Sequence, residues 1–285
     1  MGIAGTDPVL APVDVLVRTF NSATTLSACL AAAKRHLPVR RIIVVDRNST
    51  DDTAEIARTF GAQLHFEEAG IGRATTLAAR LAETENVLYL DSDVILRSAS
   101  FYSDAVRALA LPRTGAVVGI AIGHRFRFGL PLGLTLLRRA WVLSIDIPDD
   151  AQGAETYFLR RALKREHRRV RYVSGAMDHL GTYRGKGWAE WQGAQLRLAA
   201  GWSISTIIDS FLVILLIHAN SRSPRNVLYT PIFFLHLLRG FTDPSRWRMR
   251  DRRTVSLAYG RRGQTATSRE PPVCEGGGSE ERLIP

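Results

Sequence analysis

From Val13 to about Leu109, short apolar runs rich in β-branched residues alternate with stretches of helical spacing, which predicts βα units around a mostly parallel sheet. Strands are expected at Val13–Phe20, Arg41–Asp46, Gln63–Phe66 and Val87–Leu90. The first, second and fourth are nearly continuous apolar runs, as strands covered on both faces require. Helices fall between them: Thr24–Arg35, a second opening near Ser49 and Thr50 with Asp51 and Asp52 in its first turn, and a third over Ile71–Thr84. A fifth strand, Ala116–Ile122, ends at Gly123 before the basic, aromatic HRFRF segment.

The pattern then changes. Apolar residues at 130, 134, 137, 141 and 145 follow helical spacing while Arg138 and Arg139 lie off the stripe, predicting an amphipathic helix over 130–147 that packs on a core or lies on a membrane surface. After Gly187 come Trp188, Trp191 and Trp202 and two apolar stretches. Leu198–Ala219 is long enough, at about 1.5 Å per residue, to reach across about 30 Å of hydrocarbon. Val227–Phe241 is shorter, holds Pro231 and His236, and suits a tilted, re-entrant or interfacial helix. The competing reading is a buried hairpin of a soluble protein, because Asp209 is costly facing lipid. The organisation expected is a catalytic domain over 1–195, a membrane-associated helical hairpin over 196–245, and a basic segment with a disordered tail over 246–285.

Composition narrows the partners. The 285 residues include 38 Lys and Arg against 27 Asp and Glu, a net charge of +11 that fits nucleic acid, an anionic bilayer or a pyrophosphate substrate. Cys29 and Cys274, the only cysteines, exclude a disulfide framework or a CxxC zinc site and favour a reducing compartment. The opening MGIAGTDPVLAPVDVLV has no basic segment ahead of an apolar stretch, so no secretory signal is expected there. The connector between the apolar stretches carries Arg222 and Arg225, whereas the outer flanks carry Arg197, Arg239, Arg246, Arg248, Arg250, Arg252 and Arg253. The positive-inside rule puts those flanks and the catalytic part on the cytoplasmic face of a membrane.

The chemistry concentrates where strands end. The fourth strand runs into Asp91-Ser92-Asp93, two carboxylates at the carboxyl edge of a parallel sheet, which can hold a divalent cation that bridges a pyrophosphate. The second strand ends in Asp46, whose carboxylate can meet a nucleobase or ribose in the crevice or simply cap a βα turn. Gly70-Ile71-Gly72-Arg73 offers free backbone N–H groups and a cation at a helix start, an anion site.

Together these segments resemble the nucleotide-binding half of a family 2 glycosyltransferase with the GT-A fold. VDVLVRTFN looks like the family's opening motif, and VVDRNSTDDT like its VVDDGSTDDT. GIGRATTLAARLAETENVLYLDSD follows, in spacing, the glycine-to-DxD segment of polyprenyl-phosphate mannose synthases. Arg47 and Asn48 replace the usual Asp-Gly, which leaves Asp46 to make the base or ribose contact alone. The resemblance implies donor contacts from Thr19, Asn21, Asp46, Gly72, Arg73, Asp91, Ser92 and Asp93. GAETYFLRR resembles the segment that carries the family's base, with Thr156 at its second acidic position, so Glu155 is the candidate general base. RRVRYVSGAMDH resembles the strand and histidine that follow, so His179 can join Asp91 and Asp93 on the metal. Trp188, Trp191, Gln195 and Arg197 have the composition of an acceptor-side QxxRW segment but not its spacing, and processive synthesis is not supported.

The expected protein is therefore a membrane-attached, inverting enzyme that uses Mg2+ or Mn2+ and passes a hexose to a lipid-linked acceptor. Similarity to mannose synthases makes GDP-mannose the first choice of donor. A polyprenyl-phosphate sugar synthase is the nearest alternative, its acceptor needing no base. HRFRF and RWRMRDRR would also suit a nucleic-acid binder, but the ordered carboxylates and apolar stretches argue against a nucleic-acid partner.

Overall fold

The first strand, β1 (Val13–Thr19), sends Val13, Val15 and Val17 to one face, against the leucines of α1 (Ala23–His36). Leu16 goes to the other face, and the two-residue pleat places Asp14 and Arg18 there too. The computed structural model describes residues 10–121, 129–149, 155–180, 186–219 and 224–244. β2 (Val39–Asp46), α2 (Thr53–Thr59), β3 (Gln63–Phe66), α3 (Ile71–Leu81) and β4 (Asn86–Asp91) continue the winding. β5 (Val94–Leu96), α4 (Phe101–Ala110), β6 (Thr114–Ile120) and β7 (Leu134–Arg138) follow. After them come α5 (Arg139–Leu143), α6 (Glu155–Arg165), β8 (Arg169–Ser174) and β9 (Met177–His179). The seven-stranded sheet has the order β3-β2-β1-β4-β7-β6-β8, and β5 and β9 form a separate pair. β1 runs parallel to β2 and β4, and β7 runs antiparallel to both β4 and β6.

The four strands and three helices expected over residues 13–90 are formed where the apolar runs place them, except that α2 opens at Thr53, with Asp52 at its N-cap and not in its first turn, and α3 stops at Leu81 and not at Thr84. The fifth strand is Thr114–Ile120, and its expected continuation to 122 leaves the described residues. The helix expected over 130–147 is not formed. Residues 134–138 are β7 and only Arg139–Leu143 is helical. The helical spacing was one subset of a denser apolar pattern, since Leu130, Leu132, Leu134, Leu136 and Leu137 are all buried. β7 pairs along its edges with β4 and β6 and packs into a core on each face, Leu134 and Leu136 on one and Leu137 on the other, and therefore shows no polar alternation. Arg138 reaches the carbonyls of Thr114 and Leu109, and Arg139 that of Ala79, so the two arginines tie down β7 and α5.

The C-terminal apolar region also differs from the expected hairpin. α7 (Lys186–Ala200) runs unbroken through residue 195, and Gly201, at φ 69°, ends it where a side chain would be strained. α8 (Ile204–Ala219) follows, then a 3₁₀ turn (Pro224–Tyr229) and α9 (Thr230–Thr242). The break at Gly201 divides the continuous span expected over Leu198–Ala219. Among the described residues no helix is long and apolar enough to cross a membrane. The tight partner of α9 is α7. A Cβ on Gly193 would lie 1.9 Å from the Leu237 carbonyl oxygen, and one on Gly240 would lie 1.7 Å from that of Glu190. Only glycine lets the two backbones touch there. α8 lies against α9 through the edge-to-face pair Phe211–Phe234 and through Ile214 against Leu237.

Candidate active site

The carboxyl edge of the sheet collects the chemistry because β1, β2 and β4 are parallel and end together. β4 closes on Asp91, a two-residue turn follows, and β5 pairs antiparallel with β9 so that Val94 stands opposite His179. That pairing carries the imidazole to the acidic turn: His179 Nε2 lies 3.6 Å from Asp93 Oδ1. One ligand atom from each of Asp91, Asp93 and His179 lies within 4.8 Å of the others. The three residues expected to share a metal are therefore together. Two carboxylate oxygens from one turn and an imidazole nitrogen from β9 suit a hard or borderline divalent cation such as Mg2+ or Mn2+.

Asp91 is held from several sides. Its amide donates to the Gly133 carbonyl (2.9 Å), its carbonyl accepts from the Cys29 thiol (3.3 Å), and its Oδ1 accepts from Arg18 Nη2 (3.0 Å). A Cβ at Gly133 would stand 3.3 Å from Asp91 Oδ2, so this glycine keeps room over the carboxylate. Cys29 is buried beneath the turn, and burial beside Asp91 and Asp93 pushes its thiol far above the usual range, so it serves as a packing group and not a nucleophile. Ser92 Oγ meets Ser22 Oγ at 2.9 Å, fastening the turn to the start of α1.

Arg18 was not among the residues the sequence pointed to. It sits on β1 opposite Asp91 of β4, with only 9% of its side chain exposed. Nη1 donates to Glu155 Oε1 (3.0 Å) and to Thr75 Oγ1 (3.1 Å), and the guanidinium carbon lies 5.9 Å from the centre of the Tyr89 ring. A cation inside an apolar strand was the one available signal, but its partners are 73 and 137 residues away in sequence. Burial opposes the charge on Arg18, and Asp91 and Glu155 more than restore it, raising its pKa.

Glu155, the candidate base, opens α6 and is 2% exposed. Burial raises its pKa above the usual carboxylate range, with the Arg18 cation pulling the other way. Oε1 faces Arg18, and Oε2 is buried with no hydrogen-bond partner among the described residues.

Five of the expected donor residues, Thr19, Asn21, Asp46, Gly72 and Arg73, are engaged or buried within the protein itself. Asp46 is fully buried. Its Oδ1 accepts from the hydroxyls of Thr19 and Ser49 (both 2.6 Å) and its Oδ2 from the Ser49 amide (2.7 Å), so it fixes the turn after β2 instead of facing a base or ribose alone. Thr19 shares in that turn. Asn21, at φ 47°, accepts the Thr50 amide at 2.9 Å and joins the same loop to β1. At Gly70–Arg73 the carboxylate of Glu67 accepts from the amides of Ala69 (2.6 Å) and Gly70 (3.1 Å), and the Arg73 amide donates to the Asp149 carbonyl (3.1 Å). The amides of Ala69, Gly70 and Arg73 are thus taken up within the protein. Gly72 is buried in the first turn of α3, and the half-exposed Arg73 side chain pairs with Asp149 at 3.5 Å.

On the acceptor side, Trp191 and Gln195 are buried in α7, and Arg197 lies 4.9 Å from the ring centre of Trp202. The Trp188 side chain lies outside the described residues.

A parallel-edged α/β sheet ending in Asp-x-Asp, with a histidine folded back beside it by a small second sheet, defines a sugar-nucleotide-dependent glycosyltransferase of the GT-A fold. Residues 14–132 match the model of glycosyl transferase family 2, and that stretch is a family 2 glycosyltransferase domain. Among solved structures it is similar to glucosyl-3-phosphoglycerate synthase from Mycobacterium tuberculosis in complex with Mn2+ and UDP-glucose, at 21% identity and TM-score 0.55, over 68% of this chain and 80% of that one. It is also similar to the mannosyltransferase PcManGT from Pyrobaculum calidifontis in complex with GDP-Man and Mn2+, at 20% identity and TM-score 0.55, over 88% of this chain and 75% of that one. A search of curated protein sequences finds no match.

Proposed function

We propose that the chain transfers a hexose, with inversion, from a nucleoside diphosphate donor to a hydroxyl of a lipid-linked acceptor at a membrane surface, and that GDP-mannose is the donor. The Asp91–Asp93–His179 cluster carries this reading. These residues would hold Mg2+ or Mn2+, which when bound supplies charge stabilisation to the departing diphosphate. Both solved relatives above bind Mn2+ with a nucleotide sugar, UDP-glucose in one and GDP-Man in the other. Glu155 Oε2 accepts the proton of the acceptor hydroxyl as that oxygen bonds to the anomeric carbon. The bond from the anomeric carbon to the diphosphate breaks, and the nucleoside diphosphate leaves with the electron pair.

Membrane attachment is supported by apolar side chains left in water: Trp202, Ile204, Ile208, Leu228, Ile232 and Leu235 are all exposed. Arg239, one turn beyond Leu235 on α9, is 62% exposed, and RWRMRDRR follows in sequence, which suits helices lying in an anionic interface. The full chain is expected to sediment with vesicles containing phosphatidylserine and to resist extraction by high salt. Recovery as a soluble monomer without detergent or lipid would remove the membrane part of the reading.

The deciding experiment for the enzyme is a binding screen of GDP-, UDP- and dTDP-sugars with and without Mn2+. Metal-dependent binding of GDP-mannose in preference to the others is the expected result, and indifference to metal and nucleotide would overturn the reading. A second reading, transfer to a polyprenyl phosphate, gains from the burial of Glu155 against Arg18, because a carboxylate serving only as a counter-ion suits an acceptor that is already ionised. Glu155→Gln separates the two. With a hydroxyl acceptor transfer falls about 10²–10⁴-fold at unchanged donor affinity, and with a phosphate acceptor it stays within a few-fold.

A further inference from the structure

We infer that Arg18 is a positioning residue that locks Asp91 of the metal cluster and Glu155 into one arrangement, so that Glu155 turns a single oxygen, Oε2, toward the acceptor; this rests on the proposed role of Glu155 as base. Three observations carry it. The first is the fork: Nη2 holds Asp91 Oδ1 and Nη1 holds Glu155 Oε1, each at 3.0 Å, so one planar cation spans the carboxylate at the end of β4 and the one at the start of α6. A guanidinium presents two donors in fixed directions, which an ammonium cannot reproduce.

The second is that the fork is itself held. Thr75 Oγ1 accepts from Nη1 while its own hydroxyl donates to the Ile71 carbonyl (2.7 Å), and the Thr75 carbonyl accepts from the buried Tyr89 hydroxyl (2.8 Å). Tyr89 in turn lies under the guanidinium. α3 and β4 thus hold the cation from two sides, and the pairing of Arg18 with Asp91 across β1 and β4 fixes its backbone.

The third is what the fork leaves over. Asp14, also a buried carboxylate paired to an arginine on this face of the sheet, has both oxygens occupied, by Arg41 and by the amides of Glu83 and Thr84. Glu155 has Oε1 occupied and Oε2 buried without a partner among the described residues. A carboxylate kept for structure is satisfied on both sides, since a buried unpaired oxygen is costly. One oxygen held and one left open is the state a base needs before its substrate arrives.

The test uses the full chain and the variants Arg18→Lys, Glu155→Gln and their combination. The probes are Mn2+ with GDP-mannose and with UDP-glucose, water serving as acceptor, so that turnover is release of GDP or UDP and of free sugar. Arg18→Lys is expected to bind GDP or UDP with Mn2+ within a few-fold of the parent and to lose about 10²-fold in kcat with little change in donor KM. The double variant is expected to be no slower than Glu155→Gln, because residues that act as a unit do not add. The electron paramagnetic resonance spectrum of bound Mn2+ is expected to change in Arg18→Lys, where Asp91 Oδ1 is released, and to stay the same in Glu155→Gln. Parent-like kcat in Arg18→Lys, additive losses, or an unchanged Mn2+ spectrum in that variant each overturn the inference. If Arg18→Lys fails to fold, Arg18→Gln takes its place with the same expectations. A parent that binds neither nucleotide with Mn2+ defeats the proposed function itself. A parent that binds but turns over neither donor leaves the spectrum to decide the role of Arg18.

Discussion

The two ends of β1 each bury a charge on the same face of the sheet, and they treat it differently. At the amino end Asp14 is fully buried, and burial alone would raise its pKa. Its bonds to Arg41 and to the Glu83 and Thr84 amides overcome that and hold it below the usual carboxylate range. Arg40 and Arg41 reach on to Glu83, closing a network at the edge of the sheet away from the chemistry. At the carboxyl end Arg18 joins Asp91 and Glu155, but there burial prevails, and Glu155 is pushed up with Oε2 buried and without a partner among the described residues. A saturated carboxylate spends its interactions on the fold. A half-saturated one, beside a cluster that can hold a metal, is poised for chemistry.

The comparison is sharpest where a substitution removes chemistry and spares the fold. Asp93→Asn takes a carboxylate from the metal cluster and is expected to lower transfer by about 10³-fold or more and to weaken Mn2+-dependent donor binding, with Tm nearly unchanged. Calorimetry with and without Mn2+ checks it, and full activity in a chelated buffer would break the contrast from the functional side.

Asp14→Asn is the converse. It should cost about 2 kcal/mol of stability, because Arg41 and two amides lose an ionised acceptor at a partly exposed edge. Turnover per folded molecule should not move. Denaturant titration beside an activity assay separates the two quantities, and loss of activity without loss of stability would show that the amino end is not merely structural.

The same carboxylate sets an acid limb. Because Asp14 has a folded-state pKa below its unfolded value, its contribution is complete above the unfolded pKa and is lost as pH falls through the folded one. Stability measured downward from pH 5 should fall for the parent below the ordinary carboxylate range, and Asp14→Asn should flatten that fall. Glu155, shifted upward, contributes with the opposite sign, so Glu155→Gln should not flatten it.

The smallest effect is expected at Gly133. An added Cβ stands 3.3 Å from Asp91 Oδ2, so the carboxylate has to yield by a few tenths of an ångström. Gly133→Ala should lower turnover by about tenfold through displacement of a metal-cluster oxygen, with little change in folding. Parent-like metal affinity and turnover would show that Asp91 has more freedom than its contacts indicate.

The sequence by itself determined the βα winding from Val13 to Asp91. Continuous β-branched runs in strands buried on both faces, separated by helical segments, leave few other arrangements, and the Asp-x-Asp at the end of β4 needed only its own strand to be recognised. It also picked out His179 and Glu155, through local segments that resemble a family. Tertiary structure decided the rest. Residues 134–138 became a strand because β4 and β6 pair with its two edges while a core covers each face, and a run of leucines carries no period when nothing in it faces water. The apolar C-terminal region paired α7 with α9 because Gly193 and Gly240 let two backbones touch, a contact invisible to hydropathy. The carboxylate of Asp46 took up the hydroxyls of Thr19 and Ser49 and is fully buried. Arg18 acquired its place only when β1, β4, α3 and α6 met. Burial gives a buried charge its strength and its cost, and burial is a property of the assembled layers, not of the segment VDVLVRT.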